Sequence, residues 1–277
     1  IKKTFMNCKA GFVGTLDPLA SGFLPVALGK STKTIKFLSH YYKEYIFQVE
    51  WGAKSSTGDL EGEIEKDEKN IPSKEKIKKL LEKFNGVYYQ KPHRFSSKKI
   101  GGIRAYKLAR ENKEFNLKTQ RKTIFDLQVI DFVSSSKTLF YIKCSSGTYI
   151  RSLAEDMANL LKTYGMVTSL RRIGFGNLDK KLISLDYLLS LGHIDDFLNI
   201  LKPVDLIFDK FTQIYLDKKE FAYILNGRPI EMKDKKNFNK LLDSEFILAK
   251  FKNESVAIGY FKDGIFYPKN LLNNFLV

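Results

Sequence analysis

The chemistry in this sequence starts from one carboxylate. Asp17 is the only acidic residue among the first 43, and it sits inside Gly14-Thr15-Leu16-Asp17-Pro18-Leu19-Ala20-Ser21-Gly22. Glycines at both ends and a proline after the aspartate predict a constrained loop that can present a functional side chain. A carboxylate in such basic surroundings weakens the binding of a polyanion, so it calls for a task of its own. The other reading is structural, because Asp-Pro commonly starts a turn, and pattern alone favours it. Other site chemistries find no support. The sequence holds no P-loop, dinucleotide fingerprint or Ser-His-Asp pattern, and His40, His93 and His193 are too scattered to pair on a metal. Cys8 and Cys144 form neither a disulfide framework nor a zinc cluster and fit a reducing cytoplasm.

Charge points to the partner. Lys and Arg total 47 against 31 Asp and Glu, a net charge of +16 over 277 residues. Residues 89–125 carry eleven cations against Glu111 and Glu114, so this stretch alone nets +9. Tyr89, Phe95, Tyr106 and Phe115 are interleaved with those cations. Phosphate neutralisers alternating with stacking surfaces are expected of a protein that binds RNA or single-stranded nucleic acid. A solvated surface is the usual meaning of a charge run, and Lys74 to Lys83 reads that way, as the wet face of a helix. Residues 201–277 are nearly balanced, with thirteen cations and ten anions. The 43% hydrophobic content supplies a core and excludes a wholly disordered chain. No apolar run approaches the roughly 20 residues that cross a bilayer, and the N-terminus lacks a signal peptide's apolar region.

The elements that must position Asp17 are legible in part. Ser73 as N-cap, with Ile77, Leu80, Leu81 and Phe84 at helical spacing before Asn85-Gly86, predicts a helix with one buried face. A second is predicted from Ile150 to Tyr164, with Leu153, Met157, Leu160 and Leu161 as its stripe and Gly165 ending it. Shorter helices are expected at Thr32–Leu38, Ala105–Glu111, Ser184–Leu191 and Lys218–Leu225, the last behind an Asp217/Glu220 capping box. Alternation predicts a strand at Tyr45–Trp51, and Thr123–Val133 with Thr138–Cys144 read as a hairpin around the polar turn Ser134–Lys137. Further strands are expected at Phe23–Ala27 and Val167–Ile173. After Pro203 the pattern resets to short strands (Ile214–Leu216, Phe246–Phe251, Val256–Phe261, Gly264–Tyr267) around one helix. Hairpins dominate and no regular strand-helix alternation occurs, so the class is α+β.

The run from Gly14 to Gly29 strongly resembles the catalytic motif of the bacterial tRNA pseudouridine-55 synthase family. Further segments match in the family's order: Lys43-Glu44-Tyr45; Trp51-Gly52 to Thr57-Gly58-Asp59-Leu60-Glu61-Gly62; Phe95-Ser96 through Lys99, Gly102 and Arg104-Ala105-Tyr106 to Arg110; and Ser146-Gly147-Thr148-Tyr149-Ile150-Arg151 with Leu170-Arg171-Arg172. The resemblance spans Lys9 to about Leu206. It implies a pseudouridine synthase fold, a mixed and mainly antiparallel sheet flanked by helices, with a small mostly β C-terminal domain of PUA type. The expected domains are 1–206, catalytic, with a basic RNA-gripping insertion at about 91–122, and 207–277, PUA-like. The implied activity is isomerisation of the T-loop uridine of tRNA, without cofactor or metal, by a cytoplasmic monomer that binds the T loop and stem and needs no obligate protein partner. Asp17 matches the catalytic aspartate, a nucleophile on sugar or base. Arg151 matches its pairing arginine, and a cation at a helix start, opposed by the dipole, fits an anionic partner. Asp59 matches a carboxylate that completes the network. Among substrate-binding positions, Tyr45 corresponds to the tyrosine that stacks on the flipped base and Leu170 to the apolar pocket floor; Phe12, Tyr149, Lys99 and Arg104 are also assigned to substrate. The target base must leave its stack, at a cost of a few kcal/mol that phosphate and stacking contacts offset.

The sequence departs from the family pattern at four places. Phe12 stands where a histidine helps displace the target base, Ser56 replaces the first Asp of T-D-T, and His93 and Ser97 replace the second proline and the alanine of the segment after Gln90. The family's N-terminal strand with its Lys-Pro-x-Gly segment would precede Ile1, either outside this sequence or absent from the protein. Two alternatives follow: a catalytically weak RNA-binding protein that helps tRNA fold, or a pseudouridine synthase aimed at another RNA.

Overall fold

A computed structural model describes residues 8–38, 41–67, 69–178, 182–208, 211–232, 246–252 and 254–272; His40 lies outside them. In chain order the elements are β1 (Ala10–Phe12), β2 (Ala20–Gly22), β3 (Val26–Leu28), a 3-10 turn (Gly29–Thr34), α1 (Ile35–Leu38), β4 (Lys43–Trp51), β5 (Ala53–Ser55), β6 (Ile64–Lys66), α2 (Lys74–Leu81), β7 (Gly86–Gln90), β8 (Lys99–Ile100), β9 (Ile103–Arg104), α3 (Ala105–Arg110), β10 (Gln120–Asp131), β11 (Lys137–Cys144), α4 (Ile150–Leu160) and β12 (Gly165–Phe175). Then come α5 (Leu185–Ser190), α6 (Ile194–Ile200), a 3-10 turn (Val204–Ile207), β13 (Thr212–Tyr215), α7 (Lys218–Leu225), β14 (Ile230–Glu231), β15 (Ile247–Phe251), β16 (Glu254–Lys262) and β17 (Ile265–Leu271). By packing, the chain divides into one unit of 14–24 and 39–180 and another of 1–13, 25–38 and 181–277. The boundary read from sequence at 206/207 therefore falls inside the second of these. Among the described residues, no helix is long and apolar enough to cross a membrane.

The unit 14–24 with 39–180 is built on a six-stranded sheet in the order β2-β12-β4-β11-β10-β7, antiparallel except where β2 runs parallel to β12. The α+β class and the mixed, mainly antiparallel sheet expected from sequence are the ones observed. On β4, Tyr45, Phe47, Val49 and Trp51 all point into the core, as their alternation requires. Phe47 stacks on Phe140 of β11 at 5.2 Å, and the Trp51 indole N–H donates to Thr138 Oγ1 at 2.9 Å. Leu153, Ala154 and Met157 of α4 and Ile77, Leu80 and Leu81 of α2 close the same core. Each such large apolar side chain, fully buried, contributes about 1.5–3 kcal/mol. Ser73 caps α2 by accepting the Lys76 N–H, as its sequence predicts.

Two sequence expectations are corrected here. Helix α4 stops at Leu160 rather than Tyr164, because Lys162 takes the left-handed turn (φ 56°). Gly165 instead opens β12, where a β-carbon would lie 2.8 Å from the Ala158 side chain, and Leu160 faces solvent. Of the expected strand Phe23–Ala27 only Val26 and Ala27 lie in a strand, β3; Phe23 to Pro25 lie between β2 and β3, where Pro25 has no N–H for a ladder.

In the other unit, β13, β15, β16, β17 and β14 form a five-stranded sheet in that order. The capping box at α7 is as read, with Asp217 accepting the Glu220 N–H and Glu220 the Asp217 N–H. This unit's larger core joins Ile224 of α7 to Ile247, Val256 and Phe266 of the sheet.

Candidate active site

The loop carrying Asp17 hangs from the sheet edge. Ala20, Ser21 and Gly22 pair in parallel with Leu170, Arg171 and Arg172, and the Phe23 N–H donates to the Arg172 carbonyl at 2.8 Å. Gly22 is required there: its φ is +95°, and a β-carbon would lie 2.2 Å from the Arg172 carbonyl oxygen. Within the loop the Ala20 N–H closes a turn on the Asp17 carbonyl at 2.8 Å. The turn and the functional reading of Asp17 thus coexist, because the backbone makes the turn and leaves the carboxylate free to reach outward.

That carboxylate meets Arg151, the second residue of α4. Arg151 Nε donates to Asp17 Oδ2 at 2.8 Å, and Nη1 lies 3.1 Å from Asp59 Oδ2. Nη1 and Nη2 also donate to the carbonyls of Thr57 (2.9 Å) and Phe95 (3.1 Å). A cation at a helix N-terminus is disfavoured by the dipole, and two carboxylates answer it here. The guanidinium is buried, 4% exposed as a residue, and its planar fork suits several fixed acceptors at once. Asp59 is more buried still, at 1%, and is held by the Thr57 hydroxyl (2.6 Å) and the Glu61 N–H (3.1 Å). Its turn is tied to β12 where the Val167 N–H donates to the Gly58 carbonyl at 3.0 Å. By contrast, the Asp17 side chain keeps one third of its surface exposed. The result is one open carboxylate, one buried carboxylate and a guanidinium fixed between them.

The remaining positions separate by place. Tyr45 and Leu170 are buried in the same core, on adjacent β4 and β12. Burial first, then Cys144, raises the Tyr45 hydroxyl well above the ordinary tyrosine range, so it stays neutral. Tyr149 precedes α4; its N–H donates to Gln90 Oε1 at 2.8 Å and its carbonyl accepts from Gln90 Nε2 at 2.9 Å. Burial also raises the Tyr149 hydroxyl. Lys99 and Arg104 pair across the β8-β9 hairpin and are both exposed, with Arg104 Nη1 donating to the Ser97 carbonyl at 2.5 Å. Phe12 is exposed on β1 in the other unit.

Sequence reasoning missed the carbonyls of Thr57 and Phe95, which leave no side-chain signal, and the Gln90 clamp. It also passed over what Lys43 and Arg172 do inside their motifs. Arg172 Nε donates to the Phe23 carbonyl at 2.5 Å, tying the residue after β2 to β12. Lys43 Nζ donates to Ser146 Oγ at 2.9 Å; burial first, then Arg172, pushes its pKa down to about 8. Among the described residues, no group of three or more His, Cys, Asp or Glu could hold a metal ion.

Comparison with known proteins gives the family. Residues 2–150 match the family described as "TruB family pseudouridylate synthase (N terminal domain)". Relatives named "tRNA pseudouridine synthase B" match nearly end to end: that of Brucella canis is 35% identical and that of Sinorhizobium medicae 38%, each over 98% of this chain and 89% of the relative. The chain belongs to the TruB family. Solved structures support the TruB-type fold at lower identity. "Structure of H/ACA RNP bound to a substrate RNA containing 2'-deoxyuridine" aligns with TM-score 0.70 and 19% identity over 99% of this chain and 79% of that one. "Crystal Structure of a Cbf5-Nop10-Gar1 Complex" aligns with TM-score 0.69 and 20% identity over 98% and 78%.

Proposed function

We propose that this TruB-family chain is a tRNA pseudouridine synthase that isomerises the T-loop uridine at position 55. The observation that carries the reading is the Asp17–Arg151–Asp59 group, one open carboxylate ion-paired to a buried arginine. Asp17 is the nucleophile, on the sugar or on the base. The C1′–N1 bond breaks and a C1′–C5 bond forms; C5 gives up its proton and N1 takes one up, so the step is an isomerisation with no net redox change. Arg151 pairs with Asp17 and aims it, and Asp59 fixes the other side of the guanidinium. Tyr45 stacks on the flipped base over Leu170, with Tyr149 beside it. Flipping costs a few kcal/mol, which the basic segment 91–122, with Lys99 and Arg104, offsets by gripping phosphates. Phe12 supplies an apolar wedge in place of the family's histidine.

In this reading residues 1–206 form the catalytic domain and 207–277 a PUA-like RNA-binding domain, and the protein acts as a cytoplasmic monomer. The test is to incubate the purified protein with an unmodified tRNA transcript and map pseudouridine by primer extension after carbodiimide treatment. A single stop at position 55 is expected. Conversion elsewhere refutes the position, and tight binding without conversion refutes the activity in favour of an RNA-folding role.

A further inference from the structure

Position 93 is a histidine where the family's pattern has a proline, a residue with no side-chain donor or acceptor. The imidazole is 6% exposed, and both ring nitrogens are engaged. Nδ1 accepts the Phe95 N–H at 3.2 Å, so it carries no proton. The proton therefore sits on Nε2, which donates to Glu155 Oε1 at 3.1 Å. Glu155 lies one helical turn beyond Arg151 on α4, at the i+4 position that shares its face. Phe95 is the residue whose carbonyl accepts Arg151 Nη2 at 3.1 Å. The contacts close a ring: Arg151 to Phe95, Phe95 to His93, His93 to Glu155, and Glu155 back to Arg151 through the helix.

Gly58 seals that ring from the loop carrying Asp59. A β-carbon there would stand 2.9 Å from Glu155 Oε1, 3.0 Å from His93 Nε2 and 3.3 Å from Arg151 Cβ. With φ at +72° and those neighbours, position 58 favours glycine. Glu155, on α4, is the charged group hydrogen-bonded to the ring.

We propose that His93 is a positioning residue for the Asp17–Arg151 pair, acting through Phe95, a role that rests on the reading of Asp17 as the reacting carboxylate. It pins the peptide whose carbonyl sets the tilt of the guanidinium, and the tilt decides where Nε holds Asp17. The hydrogen bonds of His93 go to Phe95 and Glu155 and not to Asp17. Its loss acts on the chemical step rather than on tRNA affinity, since a displaced reacting group costs rate steeply.

Three variants test this by tritium release from tRNA carrying 5-tritiated uridine. His93→Ala is expected to lower kcat about ten- to a hundredfold with KM for tRNA within about twofold. His93→Asn places a carboxamide oxygen where Nδ1 stands, keeps the acceptor for Phe95, and is expected to recover most of kcat. His93→Gln reaches only Glu155 and is expected to stay low. A kcat unchanged in His93→Ala, or Asn no better than Gln, overturns the proposal. If His93→Ala does not fold, nitrogen-15 imidazole NMR of the wild-type protein decides: a neutral ring protonated on Nε2 supports it, and a proton on Nδ1 overturns it. Because NMR needs no substrate, a wild-type protein inert on tRNA would refute the function and leave the His93 geometry separately testable.

Discussion

Arg151→Met keeps most of the alkyl stem and removes the guanidinium from four acceptors at once: Asp17 at 2.8 Å, Asp59 at 3.1 Å, and the Thr57 and Phe95 carbonyls at 2.9 and 3.1 Å. Asp17 is one third exposed, so water replaces the lost partner there at little cost. Asp59 has no such recourse at 1% exposure. It keeps the Thr57 hydroxyl and the Glu61 N–H, and it loses its counter-charge. Stranding one member of a buried ion pair costs about 3–5 kcal/mol, and we expect Arg151→Met to fall in that range. Arg151→Met combined with Asp59→Asn removes the stranded charge as well, so the pair should cost at least about 1.5 kcal/mol less than the two single changes together, whereas independent sites add within about 0.5 kcal/mol. The assay is urea unfolding followed by fluorescence of Trp51, the single tryptophan, which is buried in the core of the same unit. A cost below about 1 kcal/mol for Arg151→Met, or strict additivity in the cycle, would refute the view that Arg151 holds two carboxylates together.

Three further outcomes are expected. Lys43 has a folded pKa of about 8 against the usual 10.5, so the folded protein binds fewer protons than the unfolded chain between those values and the site's contribution to stability rises with pH across that window. Its burdened burial below pH 8 costs about 3 kcal/mol; Lys43→Met should therefore be more stable than wild type near pH 7, with the gap shrinking from pH 8 to 10.5, and a pH-independent gap contradicts this. Gly22→Ala puts a β-carbon into the Arg172 carbonyl, which should destabilise by more than about 1 kcal/mol and cut kcat by dislodging the Asp17 loop; full activity would show that the β2–β12 pairing does not place Asp17. Lys99→Ala should lower tRNA affinity and reduce the magnitude of the slope of log K against log salt by about one unit, while an unchanged slope removes Lys99 from the phosphate grip.

The sequence shows most plainly what is decided locally. Tyr45 to Trp51 alternate because one face of β4 is buried, and Asp217 with Glu220 satisfy backbone donors three residues apart, so both patterns were readable. The edge strand β7, Gly-Val-Tyr-Tyr-Gln, was missed because its strand character comes from pairing with β10 and not from its own periodicity. Leu160 matched the helical stripe by type, but its position on the outer side of α4 is set by where the sheet lies. The site was legible only through resemblance. Asp17 and Arg151 are 134 positions apart and His93 and Glu155 are 62 apart, distances over which no local pattern announces a contact. His93 was visible only as a departure from the family's proline, without a reason until its two nitrogens were placed.

The central claim is that Asp17 breaks and remakes the glycosidic bond. Its most direct test is tritium release from tRNA carrying 5-tritiated uridine by the Asp17→Asn variant, measured beside its tRNA affinity. The account predicts no release above background with affinity within a few-fold of wild type; release at a rate close to wild type would contradict it.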